Sequence, residues 1–180
     1  MLNDSKNKII DNPFDTDVLD IILGSLPEGK RYLGKAQRNW VIQLPQSVQD
    51  YMNSKMESFQ GRWVFEYFHS DLPVLYHTDT IKGNDGDIGF ILPLDWKPWP
   101  NVPETIMYKW WTDRRVMYAG NGEIRYQDTN EIALLEKDIP EVDLVFKWSL
   151  DKALIFDCKQ LHSAKNFTEG YKEFIIGFVV

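Results

Sequence analysis

From Gly61 onward the chain breaks into short runs rich in β-branched and aromatic residues, separated by Gly, Pro, Asn and Asp, and this texture narrows the folds open to it. The runs cover 62–68, 74–78, 87–94, 105–111, 144–150, 153–157 and 173–180. No helical pattern alternates with them, so a parallel α/β sheet is disfavoured. An antiparallel jelly roll of two sheets, with helices along one face, is the architecture they predict.

The helices come first. Val18, Leu19, Ile21, Ile22 and Leu26 fall near helical spacing, which predicts a helix over 14–26 with Asp15 or Thr16 as its N-cap and Pro27 as its stop. Trp40-Val41-Ile42-Gln43-Leu44 reads as a strand. Pro45 then opens a second helix whose stripe of Val48, Tyr51, Met52, Met56 and Phe59 is shaped to pack on a sheet, and Gly61 ends it. With 180 residues the chain is read as a single domain: a flexible arm over 1–12, buttressing helices over 13–61 and a jelly-roll core over 62–180. Within the core, 112–142 is the longest irregular stretch, with Gly120-Asn121-Gly122 as a hairpin tip and a helical turn or two predicted over 130–137. It reads equally as a substrate lid or as a surface excursion. Gly83-Asn84-Asp85-Gly86 is a predicted turn.

Charge and composition remove several classes of function. A net charge of -7 argues against sequence-independent binding to phosphate backbones or anionic lipid, and Arg114-Arg115 does not reverse it, so no nucleic-acid partner is expected. No apolar run approaches the roughly 18 residues of a membrane helix, and residues 1–12 lack the basic start and apolar block of a secretory leader. The lone Cys158 cannot form an internal disulfide, which suits a reducing, cytoplasmic setting; a buried structural thiol is its expected role.

Only three histidines are present, and two stand in suggestive places. In His77-Thr78-Asp79 the imidazole and carboxylate are two apart, so on a strand both point to one face and can reach one ion. His162 follows a short apolar run near the C-terminus, and Lys172 comes ten residues later at the start of another. Two imidazoles and one carboxylate are the ligand set of a non-heme Fe(II) site with open coordination positions. His69, before a proline-containing turn, reads as a turn residue rather than a ligand. Asp85-Gly86-Asp87 lacks the further ligands of a calcium loop. Trp96, Trp99, Trp110 and Trp111 read mostly as core and loop packing, with a substrate cleft as the other use.

The tail from His162 through Thr168 and Gly170 to Lys172 resembles the distal-histidine signature of Fe(II)- and 2-oxoglutarate-dependent dioxygenases, in particular the prolyl-hydroxylase-like branch. His77-x-Asp79 is similar to the first two ligands of that family, and its separation from His162 suits a jelly roll with an insertion. The likeness covers roughly 62–180 and implies a double-stranded β-helix, the cupin-like form of the jelly roll. It implies that His77, Asp79 and His162 hold Fe(II), that O2 is a co-substrate, and that Lys172 pairs with the distal carboxylate of 2-oxoglutarate. A Lys supplies a point charge without the bidentate fork of Arg, so a second donor is needed. Where many members carry Ser or Thr two residues on, this chain has Phe174, and Tyr67, Tyr108 and Tyr76 are the candidates, in that order. The implied reaction is hydroxylation of a small-molecule or peptide substrate, a peptidyl or free amino acid first, with decarboxylation of 2-oxoglutarate to succinate. A cupin-like metal-binding isomerase and an inert jelly-roll binding module are the alternatives. Oligomeric state is not legible.

Overall fold

In the computed structural model the described residues are 7–25, 39–59, 61–71, 74–80, 87–97, 101–165 and 170–180. Six antiparallel strands form the larger sheet: β1 (Lys8–Asp11), β2 (Asn39–Gln43), β3 (Trp63–Ser70), β4 (Ile88–Lys97), β10 (Lys152–Asp157) and β12 (Tyr171–Val179), in the order β1-β10-β4-β12-β3-β2. The second layer contains β5 (Glu104–Trp111), β9 (Val142–Lys147) and β11 (Gln160–Lys165), ordered β11-β5-β9. It is extended by a meander of β6 (Val116–Tyr118), β7 (Glu123–Tyr126) and β8 (Ile132–Leu135). The expected two-sheet antiparallel architecture is the one observed.

Period-two alternation sorts the larger sheet into two faces. Phe65, Tyr67, Phe90, Leu92, Ile155 and Ile175 pack outward against Phe14 and Ile22 of the N-terminal region and against Val48, Met52 and Met56. Val48 and Met52 belong to the second helix, α2 (Gln46–Lys55), and Met56 is its C-cap; the first helix, α1, spans Thr16–Ser25. Leu26 and Pro27 lie outside the described residues. On the inner face Trp96, Leu154, Phe156 and Phe174 meet Met107, Phe146 and Trp148 from the second layer. A register shift opposite Glu173 and Phe174 involves Pro93, which cannot donate to a ladder, and it lets Trp96 turn inward.

The helix α2 also repairs a sheet edge. β2 pairs with β3 only from Glu66 to Ser70. Beyond that point Gln49 donates to the carbonyl of Phe65 (2.6 Å) and accepts from its N–H (2.8 Å), and Asn53 does the same for Trp63 (2.9 and 2.8 Å). Two side chains one helical turn apart thus stand in for the missing strand.

Four expectations need correction. Residues 8–11, assigned to a flexible arm, are a strand paired with β10, with Lys8 opposite Ile155 and Asp11 opposite Lys152. Residues 74–78 do not form a strand of their own but a single bridged position at His77. The insertion 112–142 is a regular three-stranded meander. Its 130–137 portion holds β8 followed by a short 3-10 turn (Glu136–Asp138), because Ile132 to Leu135 pair with β7. The hairpin tip at Gly120 and Gly122 is present, with positive φ at both. The turn at 83–86 lies outside the described residues, and among those described no helix is long and apolar enough to cross a membrane.

Gly89 pairs with Phe156 across β4 and β10, and a Cβ at Gly89 would sit 2.4 Å from a carbon of the Phe156 ring. Gly89→Ala is expected to destabilise the fold by about 1–3 kcal/mol through this overpacking, read as a fall in denaturant midpoint at unchanged m-value.

Candidate metal centre

Residues 74–79 run between β11 and β6 as a rudimentary strand. The N–H of His77 donates to the carbonyl of His162, and that of His162 donates back to His77, each at 2.9 Å. On the other side Tyr118 donates to Tyr76 (2.9 Å) and Thr78 to Val116 (3.3 Å). The buried Thr78 hydroxyl accepts from Val116 N–H (3.1 Å), and Asp79 N–H donates to the Cys158 carbonyl (3.0 Å). His162 also pairs with Met107 on β5, and its ring lies 5.2 Å from that of Phe156. These contacts put His162, and His77 opposite it, on the inner face.

The three ligands predicted from the sequence converge. The ligand atoms of His77, Asp79 and His162 lie within 4.8 Å of one another, the one such group of His, Cys, Asp or Glu among the described residues. Asp79 reaches both rings, 3.5 Å to Nε2 of His77 and 3.2 Å to Nε2 of His162, and the ring centroids are 4.1 Å apart. Metal–ligand bonds of about 2.0–2.2 Å need donor atoms at this sort of spacing. Each imidazole is also aimed. Nδ1 of His77 meets the carbonyl of Leu75 (2.7 Å) and Nδ1 of His162 that of Gln160 (2.9 Å). A carbonyl only accepts, so Nδ1 is the donor in both rings and Nε2 faces the site.

Burial, and then the neighbouring His162, push His77 down to about 4, so it is neutral and ready to bind a metal at neutral pH. Burial would raise Asp79, but His162 and then His77 outweigh it and hold the carboxyl at about 2. His162 is lowered by burial and raised more by Asp79, for a net rise. A proton held between His162 and Asp79 therefore competes with an incoming cation.

Lys172 is buried, with 1% of its surface exposed, opposite Ser70 on β3 and Trp96 on β4. Its inward neighbour Phe174 stacks on Phe68 (4.9 Å), and its Nζ lies 5.8 Å from the centroid of the Trp148 ring. Burial pushes the ammonium down to about 7. Its contact with Trp148, which belongs to the inner cluster with Phe156 and Met107, puts Lys172 in the inter-sheet space that His77, Asp79 and His162 also face.

The tyrosines proposed as its helpers do not join it, for one reason: each is a residue out of phase. Tyr67 faces the helices. Tyr108 points to the far side of the second layer, where its hydroxyl meets Ser163 (3.1 Å), and Tyr76 packs beside it at 5.5 Å. Ser70, which sequence reasoning missed, is buried and directly opposite Lys172. Its in-phase spacing from Phe68 was the available signal. His69 is part of β3 rather than a turn; its ring nitrogens lie 3.0 Å from Glu173 and 2.6 Å from Asp71. It stands apart from the metal ligands. Cys158 is buried, and burial raises its thiol, as a structural role requires. Trp96 is core, Trp110 packs under the meander and Trp111 is 39% exposed. Asp85, Trp99 and Thr168 lie outside the described residues.

No family model matches this sequence, and no curated protein matches it either. Solved structures do. The non-heme alpha ketoglutarate dependent epimerase SnoN from nogalamycin biosynthesis aligns over 97% of this chain and 78% of its own, with TM-score 0.59 and 12% identity. A 2OG-Fe(II) oxygenase family oxidoreductase from Burkholderia pseudomallei aligns over 96% and 82%, with TM-score 0.55 and 11% identity. A Pseudomonas putida prolyl-4-hydroxylase aligns over 99% and 94%, with TM-score 0.55 and 10% identity. The fold is therefore the double-stranded β-helix found in 2-oxoglutarate/Fe(II) oxygenases.

Because a proton on His162 competes with a metal, metal affinity is expected to weaken as pH falls below the raised pKa of that ring, by about tenfold per pH unit. Calorimetric titration with Co(II) in buffers of different ionisation enthalpy measures the released proton directly, and His162→Ala should remove it.

Proposed function

We propose that this protein is an Fe(II)- and 2-oxoglutarate-dependent oxygenase that hydroxylates a small-molecule or peptide substrate, with a peptidyl or free amino acid as the first class to test. The observation that carries this reading is the convergence of His77, Asp79 and His162 within 4.8 Å in the same inter-sheet space as the buried Lys172. Three protein ligands on one side leave coordination positions for substrates. Bound there, ferrous iron and 2-oxoglutarate would supply dioxygen activation and oxidative decarboxylation to succinate.

The chain's own contribution is placement. His77 and His162 present Nε2, held by the carbonyls of Leu75 and Gln160. Asp79 adds the anionic ligand, and with that carboxylate retained no position is vacated for halide, which favours hydroxylation over halogenation. Lys172 grips the far carboxylate of the keto acid, a charge-assisted bond worth about 1.5–3 kcal/mol. Ser70, the buried register partner of Lys172 on β3, would supply the second donor that a lysine requires.

Anaerobic addition of Fe(II) and then 2-oxoglutarate should produce a visible metal-to-ligand charge-transfer band. His162→Ala is expected to abolish it. Lys172→Ala should raise the 2-oxoglutarate concentration for half-saturation by about 10–150-fold, and Ser70→Ala by about 2–10-fold. Metal uptake with no band would instead indicate a cupin-like isomerase, and neither would indicate a binding module.

A pH series gives an independent check on Lys172. With its ammonium at about 7, affinity for 2-oxoglutarate should decline as pH rises past that value, since the neutral amine loses its hold on a carboxylate. A flat profile from pH 6 to 9 in the parent protein would exclude Lys172 as the anchoring charge.

A further inference from the structure

Two strand ladders slip at neighbouring positions beside the metal ligands. Between β11 and β5 the register jumps from Gln160 opposite Trp111 to His162 opposite Met107. Between β5 and β9 it shifts from Met107 opposite Leu144 to Tyr108 opposite Val142, which leaves Asp143 as the extra residue. Bulges of this kind re-aim side chains and interrupt main-chain pairing. Here one side chain fills the gap. The fully buried Gln160 donates from Nε2 to the carbonyl of Tyr108 (2.7 Å) and to Oδ2 of Asp143 (3.0 Å). Its Oε1 accepts from Nδ2 of Asn7 (2.7 Å). Asn7 also donates to Asp143 (3.0 Å), and its Oδ1 accepts from the N–H of Asp157 (3.1 Å).

Each hydrogen-bonding group of the Gln160 side chain is thereby used, and the residue is tied to β5, β9 and the segment leading into β1. The main-chain carbonyl of this same residue accepts from Nδ1 of His162 at 2.9 Å. We propose that Gln160 is a positioning residue for the metal centre, orienting His162 through that carbonyl, and that Asn7 and Asp143 are the clamp that fixes it. This rests on the reading of His162 as a metal ligand. It gives the N-terminal segment a part in the site.

The alternative is that Gln160 merely stabilises the fold, and an internal control separates the two. Gln49 makes the same kind of buried side-chain bridge, to Phe65 on the larger sheet, away from the metal ligands. Co(II) binding, followed by titration and by the visible ligand-field spectrum, is measured for the parent chain, Gln160→Leu, Asn7→Ala, the double variant and Gln49→Leu.

The proposal expects Gln160→Leu to weaken Co(II) binding by about 10–100-fold, the range for lost outer-sphere support, with an altered spectrum. Asn7→Ala should move both readouts the same way by a smaller factor. The double variant should fall short of the product of the two, because both act on one network. Gln49→Leu should lower the melting temperature while its Co(II) affinity stays within about twofold of the parent. Parent-like affinity and spectrum in folded Gln160→Leu and Asn7→Ala overturn the proposal, and so does an equal loss in Gln49→Leu. Should Gln160→Leu fail to fold, Asn7→Ala decides alone. A parent chain that takes up no Co(II) sinks the metal reading itself, a result distinct from a parent that binds and variants that match it.

Discussion

The pair of main-chain hydrogen bonds between His77 and His162 is the constraint on which the site depends. Residues 74–79 contribute few buried apolar side chains and no extended ladder, so their position rests on a handful of backbone bonds, each worth about 1 kcal/mol net. Those bonds fix register, and register fixes chemistry. A slip of one residue would turn Tyr76 and Thr78 toward the inner face and send His77 and Asp79 away from it. The Tyr76 carbonyl, bonded to Tyr118, and beyond the pair the Thr78 hydroxyl, bonded to Val116, and the Asp79 amide, bonded to Cys158, pin the segment on either side. The meander β6–β8 is therefore more than an excursion: its first strand is the outer rail that holds the His-x-Asp segment against β11.

Burial gives the site its electrostatic character. Asp79 is held ionised by two imidazoles against the cost of desolvation, and Lys172 is covered so well that its ammonium sits near neutrality. A divalent cation alone would add charge to a space that already holds this amine. On the proposed reading, a dianionic keto acid with one end at the metal and the other at Lys172 would compensate both. Under the proposed reading, metal and keto acid should each improve the other's binding, since either alone leaves charge uncompensated in a low-dielectric space.

Much of this was legible in the sequence because the informative signals were periodic or chemically rare. The two helices, six of the seven runs after Gly61 and the residues of the His77, Asp79 and His162 cluster all stood out from spacing or from the scarcity of histidine. What escaped was polar or short. β11, reading Gln-Leu-His-Ser-Ala-Lys, carries no apolar alternation, because its faces serve a metal ligand, a hydrogen-bond network and a partner hydroxyl. β1 looked like a frayed arm since its residues are mostly exposed and its stability comes from pairing with β10. The 130–137 stretch has helix-forming residues, and tertiary pairing with β7 overrode them. Tyr67, Tyr108 and Tyr76 have suitable chemistry but the wrong phase: counting in twos from His77, Met107 and Phe68 passes over all three and reaches Ser70.

The two sheets have different mechanical roles. The larger sheet, backed by α2 and by the Gln49 and Asn53 bridges, carries Lys172 on a strand flanked on both sides. His77, Asp79 and His162 belong to the thinner layer. Between them lies a stratum of aromatic side chains: Phe156, against His162 at 5.2 Å, Trp148, beneath Lys172 at 5.8 Å, and Phe174, against Trp148 at 5.3 Å. Interiors packed this densely transmit displacement rather than absorb it. Under the proposed reading, the distance from metal to ammonium, which would have to match the length of a five-carbon keto acid, is therefore set by core residues that touch no ligand. Gly89 belongs to the same argument, because its missing side chain is the space in which the Phe156 ring lies and from which that ring braces His162.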